Sequence, residues 1–354
     1  MSKTRVVVGM SGGVDSSYAA YILQQQSFDV IGVMLTLWTE PSQEGENRCC
    51  SLDSQTVARQ TANKLDIPFY VMDARELFRS IVVDHFIQGY SSGTTPNPCV
   101  LCNASVRWKM LLNAADMFSA DLVSTGHYAQ IFRDEVDGIH LYRGKDNSKD
   151  QSYVLSMLDS SFLQRTILPL GEMTKEEVRV ESKQAGLPSH SLPDSQDLCF
   201  LGGMKYQEFI AKYTQIKANP GEIIDETGVV VGRHDGLAFY TLGQRKGLRI
   251  ASATPYYVSA KDPNLNRLYV SHQLITEKKS FKVANINWIN SPNNATFITE
   301  VQVRYKATAF PCTVDLDGNN AIVRSEENSS IIATPGQVAV FYKNNECLGG
   351  GIIV

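Results

Sequence analysis

The stretch Arg5-Val6-Val7-Val8-Gly9-Met10-Ser11-Gly12-Gly13-Val14-Asp15-Ser16-Ser17 decides the fold. Its three consecutive valines read as a buried strand, which Ser-Gly-Gly breaks into a tight turn. From Val14 to Gln26, the residues Tyr18, Ala19, Ile22 and Leu23 then recur at helical spacing. Strand, glycine turn and helix, in that order, offer backbone N–H groups and the positive end of a helix dipole to an anion. Two adjacent glycines let a pyrophosphate approach the backbone with no Cβ in the way, and Ser11, Ser16 and Ser17 add hydroxyl donors. This is not a Walker A loop, which separates its glycines by four residues and ends in Lys-Ser/Thr. No lysine is expected to reach back to it, so donors should come from backbone and hydroxyls. Asp15 offers a carboxylate for Mg²⁺ bridging the phosphates. A glycine turn alone is an ordinary strand-to-helix connection; the flanking serines and Asp15 favour a phosphate site.

Working outward, the chain has 354 residues, enough for two or three domains. Its 43% hydrophobic and 20% charged content is that of a globular protein. No apolar run approaches a bilayer span, and the N-terminus lacks a signal-peptide core. We therefore expect a cytoplasmic protein with no membrane partner. Seven cysteines, an odd number without an export signal, argue against structural disulfides. The net charge of −4 weighs weakly against nucleic acid as a partner. Between Thr241 and Lys279, however, seven basic residues outnumber two acids and interleave with Tyr256, Tyr257 and Tyr269. That suits an RNA backbone as well as it suits a solvated face.

Strands are expected at Val30–Leu37, Phe69–Met72 and Leu122–Thr125, and helices at Ser51–Leu65, Glu76–Gly89 and Asn103–Phe118. Thr174 to Glu177 reads as a capping box opening another helix. Alternation of this kind predicts an α/β fold with a parallel, Rossmann-like sheet, whose ligands sit at the carboxyl ends of strands, where Ser11 and Gly126 fall. Beyond Tyr213 the character changes. Turn signals at Asp225–Gly228, Asp315–Gly318 and Asn344-Asn345 separate short alternating strands. We expect residues 1–205 to form the nucleotide-binding domain, 206–275 a small β-rich domain, and 276–354 a β-barrel-like domain.

Thr95-Pro96-Asn97-Pro98-Cys99-Val100-Leu101-Cys102-Asn103 carries the second signal. The prolines are expected to exclude regular helix here, leaving Cys102 just before a helix whose N-terminus would lower its pKa. Nucleophilic or redox thiols, a metal site and packed cysteines all remain open for this pair. Cys199, flanked by Leu198, Phe200 and Leu201, reads equally as a core residue or a reactive thiol. Cys49-Cys50 is treated as incidental, and Cys312 and Cys347 as buried in strands. The segment Ser195–Gly203 is expected to be mobile.

The Ser-Gly-Gly-Val-Asp-Ser-Ser motif resembles that of PP-loop ATP pyrophosphatases. Within them, the chain resembles the bacterial and organellar tRNA-specific 2-thiouridylases over nearly its whole length. The resemblance rests on Gly9–Ser17, Thr95–Asn103, Ser124–Tyr128, Lys149–Tyr153, Asp194–Phe200, Thr241–Leu248, Val303–Tyr305, Thr334–Gln337 and Cys347–Ile353. It implies thiolation of the wobble uridine in tRNAs for Lys, Glu and Gln, with ATP and Mg²⁺ as cofactors and a sulfur-carrier protein as persulfide donor. ATP would lie on Gly9, Met10, Ser11, Gly12, Gly13, Val14, Asp15 and Ser16, with Leu35 and Gly126 at the adenosine. Cys199 would carry the persulfide, and Cys102 would release the sulfur, forming a transient disulfide. Asn97, Pro98 and Cys99 would meet the target base. Lys149, Asp150 and Gln151, with Arg304, Tyr305 and Gln337, would contact tRNA, Gln151 being alternatively a packed polar residue, and His127 would sit at the substrate, orienting it or transferring a proton. Some members carry Asp in place of Cys99, so here Cys99, Cys102 and Cys199 could instead ligate an iron–sulfur cluster holding sulfide. Zinc fits less well without a second Cys-x-x-Cys. The rival functions are a thiol-independent carbon–nitrogen ligase and an RNA-binding protein with a vestigial nucleotide fold.

Overall fold

A computed structural model describes residues 3–41, 52–134, 138–194, 198–214, 219–272, 279–325 and 332–354. The decisive valines form the centre of a five-stranded parallel sheet, ordered Phe69–Asp73, Asp29–Thr36, Arg5–Gly9, Leu122–Ser124, Thr166–Ile167. Val7 pairs with Ile31 on one side and Val123 on the other, and all of Val6 to Val8 are fully buried. A strand covered by helices on both faces has no polar side, which is why this run does not alternate. The chain winds away from Arg5–Gly9 in both directions. The crevice at such a reversal lies beyond the carboxyl ends of the two central strands, here Ser11 and Thr125-Gly126.

The second region is a four-stranded sheet ordered Tyr257–Asp262, Arg267–Ser271, Gly221–Ile224, Val230–His234. The third is a closed six-stranded barrel. Its strands run Ser280–Trp288, Asn320–Ser325, Phe310–Asp317, Thr296–Gln302, Val338–Lys343 and Glu346–Ile353, and the last pairs back to the first. The turns expected at 225–228, 315–318 and 344–345 join hairpins in these two sheets. The boundary expected near 275 and Cys49-Cys50 lie outside the described residues.

Two features differ from the sequence reading. A hairpin, Ala129–Asp134 with Gly138–Arg143, leaves the first domain and pairs Leu141 and Tyr142 with Cys347 and Glu346 of the barrel. The nucleotide-binding domain and the barrel thus share a sheet and a core, in which Trp108, Leu111 and Tyr153 pack with Val338, Tyr342 and Cys347. Secondly, the cysteine segment is helical. Asn97 is its N-cap, accepting from the N–H groups of Cys99 (3.1 Å) and Val100 (3.2 Å), and Pro98 takes the first helical position. Proline is suited there because that N–H has no intrahelical partner. The helix runs on from Pro98 to Met117, with a π-helical turn over Asn103–Arg107. Cys102 is therefore the fifth helical residue, at the start of the second turn and not at an N-terminus, and the thiol at the helix start is Cys99.

Candidate active site

At the end of the central strand, Gly12 adopts a φ of +80°, and a Cβ there would come 2.3 Å from the Ser54 carbonyl oxygen. Only glycine makes this turn. Ser16 Oγ accepts from the Ser11 N–H at 3.1 Å and lies 3.2 Å from Ser11 Oγ, tying the loop across its own mouth. Gly13 caps the helix Val14–Gln25 without a side-chain hydrogen bond, so the first turn's N–H groups keep their polarity for an anion. Gly126 approaches from the next strand; a Cβ there would stand 2.7 Å from the Asp15 carbonyl carbon and the Ser16 nitrogen.

These elements line a cleft of about 620 Å³ that continues between the domains. Of the expected nucleotide residues, Gly9, Met10, Ser11, Gly13, Val14, Asp15, Ser16, Leu35 and Gly126 line it. Gly12 shapes the turn behind them. Of the expected substrate residues, His127, Lys149, Gln151 and Tyr305 line it, together with Cys199.

The phosphate end is charged. Contrary to expectation, a lysine does reach the loop. Lys175, first residue of the helix Lys175–Gln184, brings Nζ to 2.6 Å from Asp15 Oδ1 and 3.1 Å from Asp194 Oδ1. The predicted capping box of Thr174 and Glu177 sets that helix start. Tyr128 donates its hydroxyl to Asp15 at 2.7 Å, while Lys149 and Arg179 pair with Asp194 at 2.7 and 2.5 Å. Burial by itself would raise the Asp194 pKa, but these three cations outweigh it and hold the carboxyl well below the usual range. The bonded partners stand 15 to 160 residues apart in the chain, so no local pattern announces this cluster.

The thiol end is drier. Cys102 is 6% exposed, in the apolar cluster that joins the first and second domains, and Cys199 packs against the same cluster. Burial raises the Cys102 pKa, opposed by the nearby Arg107 guanidinium. The expected helix-lowered thiol is thus corrected: at Cys102 desolvation dominates, and Arg107 provides the counterweight. Arg107, which sequence reasoning did not single out, also lines the cleft. The π-helical turn, with its i to i+5 spacing, links positions 102 and 107. His127 donates to or accepts from Thr125 Oγ1 at 2.8 Å, and burial, reinforced by Arg107, lowers its pKa to about 3. Its burial thus favours the neutral imidazole.

Other expected residues have partners within the fold. Asp150 accepts from the backbone N–H groups of Gly144 and Ser152 and pairs with Arg143 at 3.0 Å. Gln151 accepts from the Tyr128 N–H at 2.9 Å. Gln337 donates to the Thr95 carbonyl at 2.7 Å, and the Thr95 N–H donates to Pro335, so the barrel holds the cysteine segment at its start. Asn97 lines a separate cleft of about 380 Å³ with Gly336. Pro98 is buried, while Cys99 and Arg304 are exposed. Ser195 to Asp197 lie outside the described residues. In the described remainder of Ser195–Gly203, Phe200, 1% exposed, packs among Phe78, Phe86 and Phe209.

No cysteine among the described residues is in a disulfide. Nor, among them, does any group of three His, Cys, Asp or Glu side chains converge to hold a metal ion. Cys99, Cys102 and Cys199 form no such group among the described residues.

A parallel sheet ending in Ser-Gly-Gly at a bare helix N-terminus, with a charged cleft beyond it, defines a PP-loop nucleotide-binding protein. Residues 4–203 match the family model described as tRNA methyl transferase HUP domain. Residues 207–272 match a tRNA methyl transferase PRC-barrel domain, and 278–353 an aminomethyltransferase beta-barrel domain. The tRNA-specific 2-thiouridylase MnmA of Clostridium perfringens is 41% identical, over 100% of this chain and 99% of its own length. That of Gloeothece citriformis is 43% identical, over 99% of each. The chain belongs to the tRNA-specific 2-thiouridylase family. Among solved structures, a 4-thiouridine synthetase–RNA complex with bound ATP is similar over 59% of this chain and 50% of that chain, at 16% identity and a TM-score of 0.36. No described helix is long and apolar enough to cross a membrane.

Proposed function

We propose that this protein uses ATP to replace the C2 oxygen of the wobble uridine in tRNA with sulfur. The observation that carries the reading is one cleft joining a PP-loop to Cys199, with Cys102 in the adjoining apolar cluster. Methyl transfer fits less well, since a PP-loop and a cysteine sharing one cleft are parts for adenylation and sulfur transfer.

The uracil O2 attacks the α-phosphorus of ATP; the α–β P–O bond breaks and its electron pair leaves with pyrophosphate. Backbone N–H groups at Ser11 to Val14 stabilise the charge developing on the phosphates. Asp15 would hold Mg²⁺ carried with the phosphates, which supplies further neutralisation. The outer sulfur of a Cys199 persulfide, delivered by a carrier protein, adds to C2, and AMP departs with the former O2. The Cys102 thiolate then attacks Cys199 Sγ. The S–S bond breaks, its pair passes to the sulfur on C2, and Cys102 and Cys199 are left as a disulfide that an external thiol reduces. Arg107 favours the thiolate in that step. Tyr305 and Lys306 at the cleft mouth, with exposed Arg304, would meet the tRNA.

Single-turnover thiolation with ATP, Mg²⁺, a persulfide donor and tRNA bearing a wobble uridine tests this reading. We expect 2-thiouridine, AMP and pyrophosphate in equal amounts, and a loss of ~10³-fold or more in Cys102→Ser and Cys199→Ser. Thiolation surviving in both variants, or AMP formed equally well without tRNA, would overturn it.

A further inference from the structure

The ion cluster at the phosphate end does more than join elements. Three cations, Lys149, Lys175 and Arg179, meet two carboxylates, Asp15 and Asp194. A purely structural ion cluster would be sealed away from ligands. Here Lys149, Lys175, Asp15 and Asp194 all face the cleft that contains Ser11 and Gly13. Lys175 is the most enclosed, with its side chain 12% exposed, and it divides its ammonium between both carboxylates. Arg179 is placed differently. It lies behind the cleft lining, and its NH1 donates to the carbonyls of His190 and Leu192 while NH2 holds Asp194. Asp194 therefore has an anchor that remains when Lys149 and Lys175 turn elsewhere.

We propose that Lys175, assisted by Lys149, forms the subsite for the pyrophosphate leaving ATP, and that the Asp194 carboxylate competes with pyrophosphate for those two ammonium groups. This deepens the function proposed above and rests on it. The chemistry is matched. Backbone N–H groups and hydroxyls on one wall of the loop orient phosphate oxygens but bring no formal charge. The pyrophosphate gains negative charge as the α–β bond breaks, and an ammonium beside the loop neutralises it. Asp15 binds Lys175 at 2.6 Å, so a divalent cation drawing on Asp15 would loosen Lys175 toward the phosphates. Competition from Asp194 would limit how tightly the product is held, favouring its release.

Calorimetric titration of the full-length protein with Mg²⁺-pyrophosphate, without tRNA or sulfur donor, tests the subsite. Product inhibition of tRNA-dependent ATP cleavage is the second readout. Lys175→Met should weaken pyrophosphate binding roughly 10-fold or more, with Lys175→Arg recovering most of it. Asp194→Asn should tighten binding roughly 3- to 10-fold, as expected when an internal competitor is removed. A merely structural Asp194 would give the opposite sign. Unchanged affinity in Lys175→Met with an unaltered melting temperature, or weaker binding in Asp194→Asn, would overturn the proposal. Should Lys175→Met melt early, Lys149→Met must weaken binding for the subsite to stand. Because these titrations contain no tRNA, failure of thiolation would count against the proposed function and leave the subsite result intact.

Discussion

The two ends of the cleft follow opposite plans. At the phosphate end, charged groups are already close: Lys175 lies 2.6 Å from Asp15, and Asp194 collects three cations. At the thiol end Cys102 is buried in an apolar cluster, with its thiol pushed toward the protonated form and Arg107 countering it. One end is set to bind, the other to wait. The difference suits the two-stage reaction proposed above, in which adenylation precedes exposure of a reactive sulfur; in that scheme a permanently ionised Cys102 would attack an incoming persulfide before the uridine was activated.

The comparison breaks if the two ends cannot be perturbed separately. The largest effect is expected from Gly12→Ala, whose Cβ would collide with the Ser54 carbonyl and whose φ disfavours any side chain. ATP binding should fall about 100-fold or more, read by nucleotide titration. Near-normal affinity would show that the loop is not the phosphate site.

Next comes pH. His127 has its pKa lowered to about 3, so the unfolded state binds more protons between about 6.5 and 3. Stability from its burial is full above about 6.5 and is lost as pH falls toward 3. The loss at pH 5 should reach about 2 kcal/mol, and His127→Asn should remove that part of the slope in urea unfolding. An unchanged slope would mean that His127 is not buried as the neutral form.

Gly336→Ala should sharpen the contrast. Its φ is +90°, and a Cβ would come 2.8 Å from the Thr95 nitrogen, so the barrel would lose its hold on the start of the cysteine helix. Thiolation should slow about 10-fold while ATP affinity stays within about 2-fold, consistent with misplacement of groups far from the phosphates. Equal loss of both would show the ends to be one mechanical unit. The smallest effect is expected from Arg107→Met: the pH dependence of Cys102 alkylation should move up by about 0.5 to 1 unit. A downward shift would reverse the role assigned to the guanidinium.

How much could be read in advance follows the range of the interactions. The loop from Arg5 to Ser17, the capping box at Thr174 and the hairpin turns were legible because each is decided by residues within a few positions. The cysteine helix misled because Pro98 can break a helix or open one, and Asn97 as N-cap decides which. Lys175, Arg179 and Arg107 carried no local signal, since lysines and arginines on helices are ordinary surface residues until a fold turns them inward.

By itself the sequence determined the parallel sheet and the glycine turn, because backbone geometry and apolar periodicity are local properties of the chain. Only the tertiary structure decided that Lys175 would face Asp15, that Cys102 would be dry, and that the barrel would grip Thr95 through Gln337. Those outcomes depend on which surfaces meet, and burial and charge pairing acquire their energies only when residues distant in the chain exclude water together.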